Sequence, residues 1–236
     1  LNLKDLSDMK KLDIKSLTSA EKDIWTKHSN YITSSASLHA ILWRLNSINS
    51  VGIFEKDTTK VESALKNRKL CVLRGDMKAL NILGAYLLKK IYEKRKRYVD
   101  SKELHMDEEY FPPFFAAMDE AHIFCPGNSE TSPIKSLLKT ISQEGRKYGV
   151  FEIMATQRPS LLDQTIVSQM SSKFIFKLSI KEDLASVAKE TDLSQTEIER
   201  LPYLNSGETF ISSTLFGKTL PVRIRYTVTK DKSKIN

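Results

Sequence analysis

Two short apolar runs constrain this chain most. FFAAM (114–118) and GVFEIMATQ (149–157) read as strands, and a segment of helical spacing over roughly 132–146 lies between them. Strands joined through a helix pair in parallel, because a tight turn cannot bring a chain back in the same direction. The alternation recurs on both sides. RKLCVLRGD (68–76) reads as a buried strand bounded by charge and Gly75, and the helix after it carries Leu80, Leu83, Leu87, Leu88 and Ile91 before ending in KRKR (94–97). KFIFKLSI (173–180) reads as a further strand, with short helices over 183–189 and 194–201. ETFISSTLFGKTLPVRIRYTV reads as a β-hairpin turning near Phe216, Gly217 and Lys218. The pattern predicts an α/β fold, a mostly parallel sheet flanked by helices. In such sheets ligands sit at the carboxyl ends of the strands.

Residues 1–50 differ in texture and read as a helical segment, either an insertion or an assembly element, with the core over 51–236. Thr18-Ser19-Ala20-Glu21 fits a capping box, and Leu38, Ile41, Leu42 and Leu45 share one helical face. The whole length of 236 residues suits one large domain or two small ones. No apolar run reaches the roughly 18 residues of a membrane helix, and the charged start LNLKDLSDMKK is no secretory signal. The absence of an initiator Met suggests a piece of a longer protein. Cys71 and Cys125 make neither a disulfide framework nor a metal spacing, which fits reduced thiols in a cytoplasmic protein. A net charge of +8 favours polyanionic partners, nucleic acid first.

The strand ends carry the candidate chemistry. In FFAAMDEAH (114–122), Asp119 and Glu120 follow an apolar strand directly, and neighbouring side chains there diverge. One carboxylate can hold Mg2+ through its hydration shell while the other orients and deprotonates a water attacking a γ-phosphate. The plain alternative is a helix cap followed by a first-turn acid. At the tip of the next strand, Gln157 offers an amide able to bond both the water and the phosphate; its alternative is a strand that turns at Pro159. Arg146 and Lys147, between Gly145 and Gly149, offer charge for a phosphoryl transition state, or simply complete a basic helix end with a glycine stop. Lys89, Lys90, Lys94, Arg95, Lys96 and Arg97 could attract DNA phosphates or satisfy a helix dipole.

A phosphate cradle is missing. GxxxxGK(S/T) must lie between a strand and a helix, so that aligned backbone amides face the phosphate. Gly217-Lys218-Thr219 imitates its end, but Ser212 stands where the first glycine belongs and a strand follows. It reads as a hairpin turn.

With those residues in view, the chain resembles the C-terminal portion of a HerA-type ATPase, a DNA helicase-translocase in the HerA/FtsK branch of P-loop motors. FFAAMDEAH resembles the family's Walker B segment. QEGRKYGVFEIMATQRPSLLDQTIVSQMSSKFIFKL resembles the stretch from its arginine-bearing turn through its sensor strand, and LPYLNSGETFISS with PVRIRY its closing strands. A weaker similarity extends back to about residue 51, although VLRGD departs from the more apolar, acid-bearing strand of relatives. The resemblance implies an incomplete RecA-like core lacking its first strand and Walker A loop. It implies ATP and Mg2+ as cofactors, Asp119 for the metal, Glu120 for water activation and Gln157 as γ-phosphate sensor. Arg146 would be a finger acting on a neighbour's nucleotide, with Lys147 accessory. Partners implied are duplex DNA, further copies in a ring, as a hexamer, and a nuclease in end processing, with no membrane. Without a Walker A lysine the chain by itself should not hydrolyse ATP. Two rivals remain: a conjugation or packaging motor of the same superfamily, and a catalytically inactive domain for assembly or DNA binding.

Overall fold

The computed structural model describes residues 58–127 and 132–228. The helical segment expected at 1–50, its capping box and the boundary at 51 lie outside the described residues. Within them the chain forms α1 (Thr59–Lys66), α2 (Met77–Glu103), β1 (Phe114–Met118), α3 (Lys135–Tyr148), β2 (Val150–Met154), α4 (Gln164–Gln169) and β3 (Ser172–Ile175). They continue as α5 (Lys181–Glu190), α6 (Gln195–Arg200), β4 (Glu208–Ser213) and β5 (Leu220–Arg223).

β1 and β2 pair in parallel, Phe114 opposite Val150 through Met118 opposite Met154, as the crossover helix demands. Phe114 and Val150 point inward with Ala116 and Met118 onto a core built from Leu88 and Ile91 of α2 and Leu138 and Ile141 of α3. The alternate residues face outward, and Phe115 and Phe151 stack there with ring centroids 5.2 Å apart. The turn from α3 into β2 is very tight. Gly149 closes the helix in the left-handed conformation at φ 68°, and a Cβ at Gly145 would lie 2.6 Å from the carbonyl of Val150. Only glycine allows that approach.

Among the described residues the remaining strands form a separate three-stranded antiparallel sheet, β3–β4–β5, and the parallel pairing is that of β1 with β2. β3 is shorter than the run 173–180 suggested, because beyond Ile175 the chain leaves the ladder; Phe174 and Phe176 are exposed. Ile175, Val187, Ile198, Leu201, Leu204 and Phe210 make a second core. The C-terminal hairpin forms as expected, with Gly217 at φ 66° in its turn, and the Thr219 amide and hydroxyl donate to Asp192. The Gly-Lys-Thr run is therefore a turn and holds no phosphate cradle.

Two expectations need correction. RKLCVLRGD is not assigned as a strand: among the described residues it pairs with nothing in either sheet, and Leu70, Val72 and Leu73 are exposed. An apolar run becomes a strand only where a partner edge satisfies its backbone. Second, α2 does not end at KRKR but runs on to Glu103, because Tyr98 and Val99 still pack against the core. The basic run thus lies mid-helix, and Lys90, Lys94, Arg95 and Lys96 serve the fold. Lys90 and Lys94 both pair with Glu62 of α1, Lys96 lies 3.6 Å from Glu144, and Arg95 donates to the carbonyls of Tyr148 and Phe111 at 2.6 Å each.

Candidate active site at the tips of β1 and β2

The parallel ladder does not stop where the strands do. The amide of Ala155 donates to the Met118 carbonyl at 2.9 Å, and the amide of Ala121 donates back to the Ala155 carbonyl at 2.9 Å. Asp119 and Glu120 are looped out between these two rungs. To return Ala121 to the ladder, Glu120 adopts φ 47° and ψ 47°, the left-handed region, which costs a non-glycine residue about 1–2 kcal/mol. A single turn of 3-10 helix, Ala121–Ile123, follows, and Ala121 is wholly buried. The Asp119 side chain braces the bend by accepting the Glu120 amide on Oδ1 at 3.0 Å. Such strain persists only where the surroundings over-determine it.

The bend aims Glu120 across to the tip of β2. Gln157 Nε2 donates to Glu120 Oε1 at 2.8 Å. The other oxygen, Oε2, is buried with no hydrogen-bond partner, and His122 Nδ1 lies 3.5 Å from it. The same Nδ1 is 3.0 Å from Thr156 Oγ1, which also accepts the Arg158 amide at 3.0 Å. The loop after Gln157 is anchored from below by Asp183 of α5, which is fully buried. Asp183 accepts the Ser160 amide at 3.0 Å, the Ser160 hydroxyl at 2.6 Å and Arg158 Nε at 3.1 Å. The second core therefore reaches the tip of β2 through one carboxylate.

The candidate residues divide into two places. Asp119, Glu120 and Gln157 come together at the carboxyl ends of the parallel pair. Arg146 and Lys147 do not join them. Both are exposed in the last turn of α3, at the amino end of β2, and Lys147 lies over the Tyr148 ring at 5.3 Å. Between Gly149 and Ala155 the extended chain covers roughly 20 Å at about 3.3 Å per residue, beyond the reach of an Arg side chain. Sequence reasoning overlooked His122, Asp183 and Glu152. The last was signalled by a carboxylate inside an apolar strand, and the other two had no pattern to mark them.

Among the described residues no three His, Cys, Asp or Glu side chains gather into a metal cage. Mg2+ in phosphoryl transfer needs no such cage, since it is held by one or two carboxylates together with water and substrate phosphates. Asp119 is exposed and commits only Oδ1 to the backbone, so this donor set fits an ion that arrives with a nucleotide. Cys125 is buried, and burial foremost, with the Glu152 and Asp163 carboxylates nearby, pushes its thiol up to about 12. It is inert at neutral pH. No described helix is long and apolar enough to cross a membrane.

No family model matches the chain. Curated relatives do. A protein of Methanocaldococcus jannaschii named as a probable helicase is 34% identical over 137 residues, 58% of this chain and 26% of that protein. The DNA double-strand break repair helicase HerA of Saccharolobus solfataricus is 33% identical over 137 residues, with the same 58% and 26% coverage. The chain thus spans about a quarter of the length of these relatives. Among solved structures, VirB4 of Thermoanaerobacter pseudethanolicus superposes with a TM-score of 0.49 at 14% identity, over 66% of this chain and 39% of that one, too distant a likeness to carry weight. By sequence the chain is similar to HerA-type helicases over 137 residues, a little more than half of its length.

Proposed function

We propose that this chain supplies the metal- and water-facing side of the ATPase site of a HerA-type DNA translocase. The observation that carries the reading is the 2.8 Å bond between Gln157 and Glu120, which puts an amide and a carboxylate side by side at the tips of adjacent parallel strands. Glu120 takes the proton of the attacking water, and Asp119 helps hold Mg2+, which supplies charge neutralisation at the phosphates. Gln157 senses the γ-phosphate. Its amide donates to the Glu120 carboxylate at 2.8 Å. When the amide turns to a phosphate oxygen, Oε1 is released to accept a proton. Nucleotide occupancy and base availability are linked through one hydrogen bond.

Arg146, with Lys147 accessory, serves a nucleotide bound by a neighbouring copy. Its place at the other end of β2 supports a role in trans, because it cannot reach Glu120 of its own chain. That role requires a ring, for which we take a hexamer. The substrate is duplex DNA, in the cytoplasm, with a nuclease partner in end processing; the S. solfataricus relative is named a DNA double-strand break repair helicase. Residues 1–50 serve as an insertion or assembly element.

The test is Glu120→Gln in the full-length protein. Gln keeps the shape and the bond to Gln157 but cannot accept a proton from water. We expect ATP turnover to fall by at least about a hundredfold with ATP binding retained, since positioned general bases contribute roughly 10²–10⁴-fold. Turnover at the wild-type rate would remove Glu120 from the role.

A further inference from the structure

His122 is used by none of the roles above, yet it touches both strand tips. Its Nδ1 stands 3.0 Å from Thr156 Oγ1 and 3.5 Å from Glu120 Oε2. We propose that His122 is a positioning residue: through a proton on Nδ1 it holds the Glu120 carboxylate and the Thr156–Gln157 turn in one fixed arrangement. This inference rests on Glu120 being the general base.

The argument is one of donors and acceptors. Glu120 presents two oxygens, and each has one near neighbour. Oε1 receives the Gln157 amide at 2.8 Å. Oε2 is buried without a hydrogen-bond partner, and burying an acceptor that way is costly. The nitrogen beside it is His122 Nδ1. If that nitrogen were bare, two lone pairs would face each other and Oε2 would stay unsatisfied. With the proton on Nδ1, one N–H points into the space shared by Oε2 and Thr156 Oγ1. Thr156 tolerates this, since its oxygen has two lone pairs and the Arg158 amide uses only one.

Geometry adds a reason for the clamp. Glu120 sits in a strained left-handed conformation on an unpaired two-residue loop, so its backbone alone would not hold the carboxylate still. His122 follows in the rigid turn that begins at the wholly buried Ala121. It converts the fixed position of that turn into a fixed position for the carboxylate. Gln157 and His122 then grip opposite oxygens. When Gln157 leaves for a phosphate, His122 remains, and the base keeps its aim with Oε1 free.

Three substitutions in the full-length protein test this. His122→Ala removes the donor. His122→Asn places an amide nitrogen where Nδ1 stands. His122→Gln carries its amide farther out, at the place of Nε2. Each is measured for kcat, KM for ATP and ATP affinity beside a Glu120→Gln control. We expect kcat to fall roughly ten- to a hundredfold in His122→Ala with KM little changed, as misplacement of a catalytic group by about 1 Å does. His122→Asn should recover most of the rate and His122→Gln little. A wild-type kcat in His122→Ala, or equal rates in the Asn and Gln variants, would overturn the proposal. Should the Ala variant fold poorly, the comparison of Asn with Gln decides alone. If Glu120→Gln itself turns over normally, the reading of the base has failed, and that outcome is separate from a failure of His122. An independent readout is the 15N spectrum of histidine-labelled full-length protein: a proton on Nδ1 of His122 is expected, and the Nε2–H tautomer would refute the clamp.

Discussion

Glu152 offers a test of the fold that needs no nucleotide. It lies on the core-facing side of β2, between Val150 and Met154 and opposite Ala116. Both of its carboxylate oxygens are buried without a hydrogen-bond partner. Burial pushes the carboxyl from 4.5 up to about 8. An acid raised in this way binds more protons folded than unfolded between those two values. Its contribution is therefore most favourable below the unfolded value and is lost as pH rises through the window, levelling off above the folded one. A shift from 4.5 to about 8 is worth at most about 5 kcal/mol at 1.36 kcal/mol per unit. Against a domain stability of roughly 5–15 kcal/mol this is large. Glu152→Met keeps the length of the side chain and removes both the charge and the orphaned oxygens. We expect the variant to be more stable than wild type by about 3 kcal/mol or more near pH 8, with the difference shrinking toward pH 5. The assay is urea unfolding followed by far-UV circular dichroism across that range. If wild type and variant lose stability in parallel as pH rises, Glu152 is ionised and satisfied, and the account of this strand is wrong.

Three further outcomes follow from the site. Asp183→Ala removes the acceptor of three hydrogen bonds from a fully buried position and should cost about 3–5 kcal/mol, read from urea unfolding; a loss below about 1 kcal/mol would mean the sensor loop is held by other contacts. Arg146→Ala in the full-length protein should abolish ATP turnover with little change in melting temperature, because the side chain is exposed. Mixing it with the Glu120→Gln protein should restore part of the activity at mixed interfaces, and no restoration would count against a role in trans. Gly145→Ala should destabilise the core by more than about 1 kcal/mol in the same unfolding assay, since its Cβ would meet the Val150 carbonyl at 2.6 Å; an unchanged stability would show that α3 can shift away from β2.

What the sequence determined by itself is local. FFAAM (114–118) and GVFEIMATQ (149–157) are too short to be helices, and the helix between them forces a parallel pairing, so β1 was legible to the residue while β2 is three residues shorter at its end and α3 starts three residues later than the sequence suggested. Gly145 and Gly149 marked the tight turn, the short helix expected over 194–201 appears as α6, and Phe216-Gly217-Lys218 marked the hairpin. The approach of the acid pair to Gln157 followed from strands lying side by side, because adjacent parallel strands bring their carboxyl ends to one edge.

Tertiary structure decided whatever depends on partners distant in sequence. RKLCVLRGD (68–76) suited a strand, but a strand exists only where another edge meets it, and among the described residues neither sheet does. KRKR resembled a helix end because charge often collects there, yet Tyr98 and Val99 found a core to pack on and carried the helix further. Nothing in a one-dimensional pattern could show that Glu120 turns left-handed, that His122 faces its second oxygen, or that Asp183 reaches up from α5 to hold the loop behind Gln157. Each of these is set by three-dimensional closure: a hydrogen bond is made wherever the packed chain happens to bring donor and acceptor within about 3 Å, and that distance bears no relation to separation along the sequence.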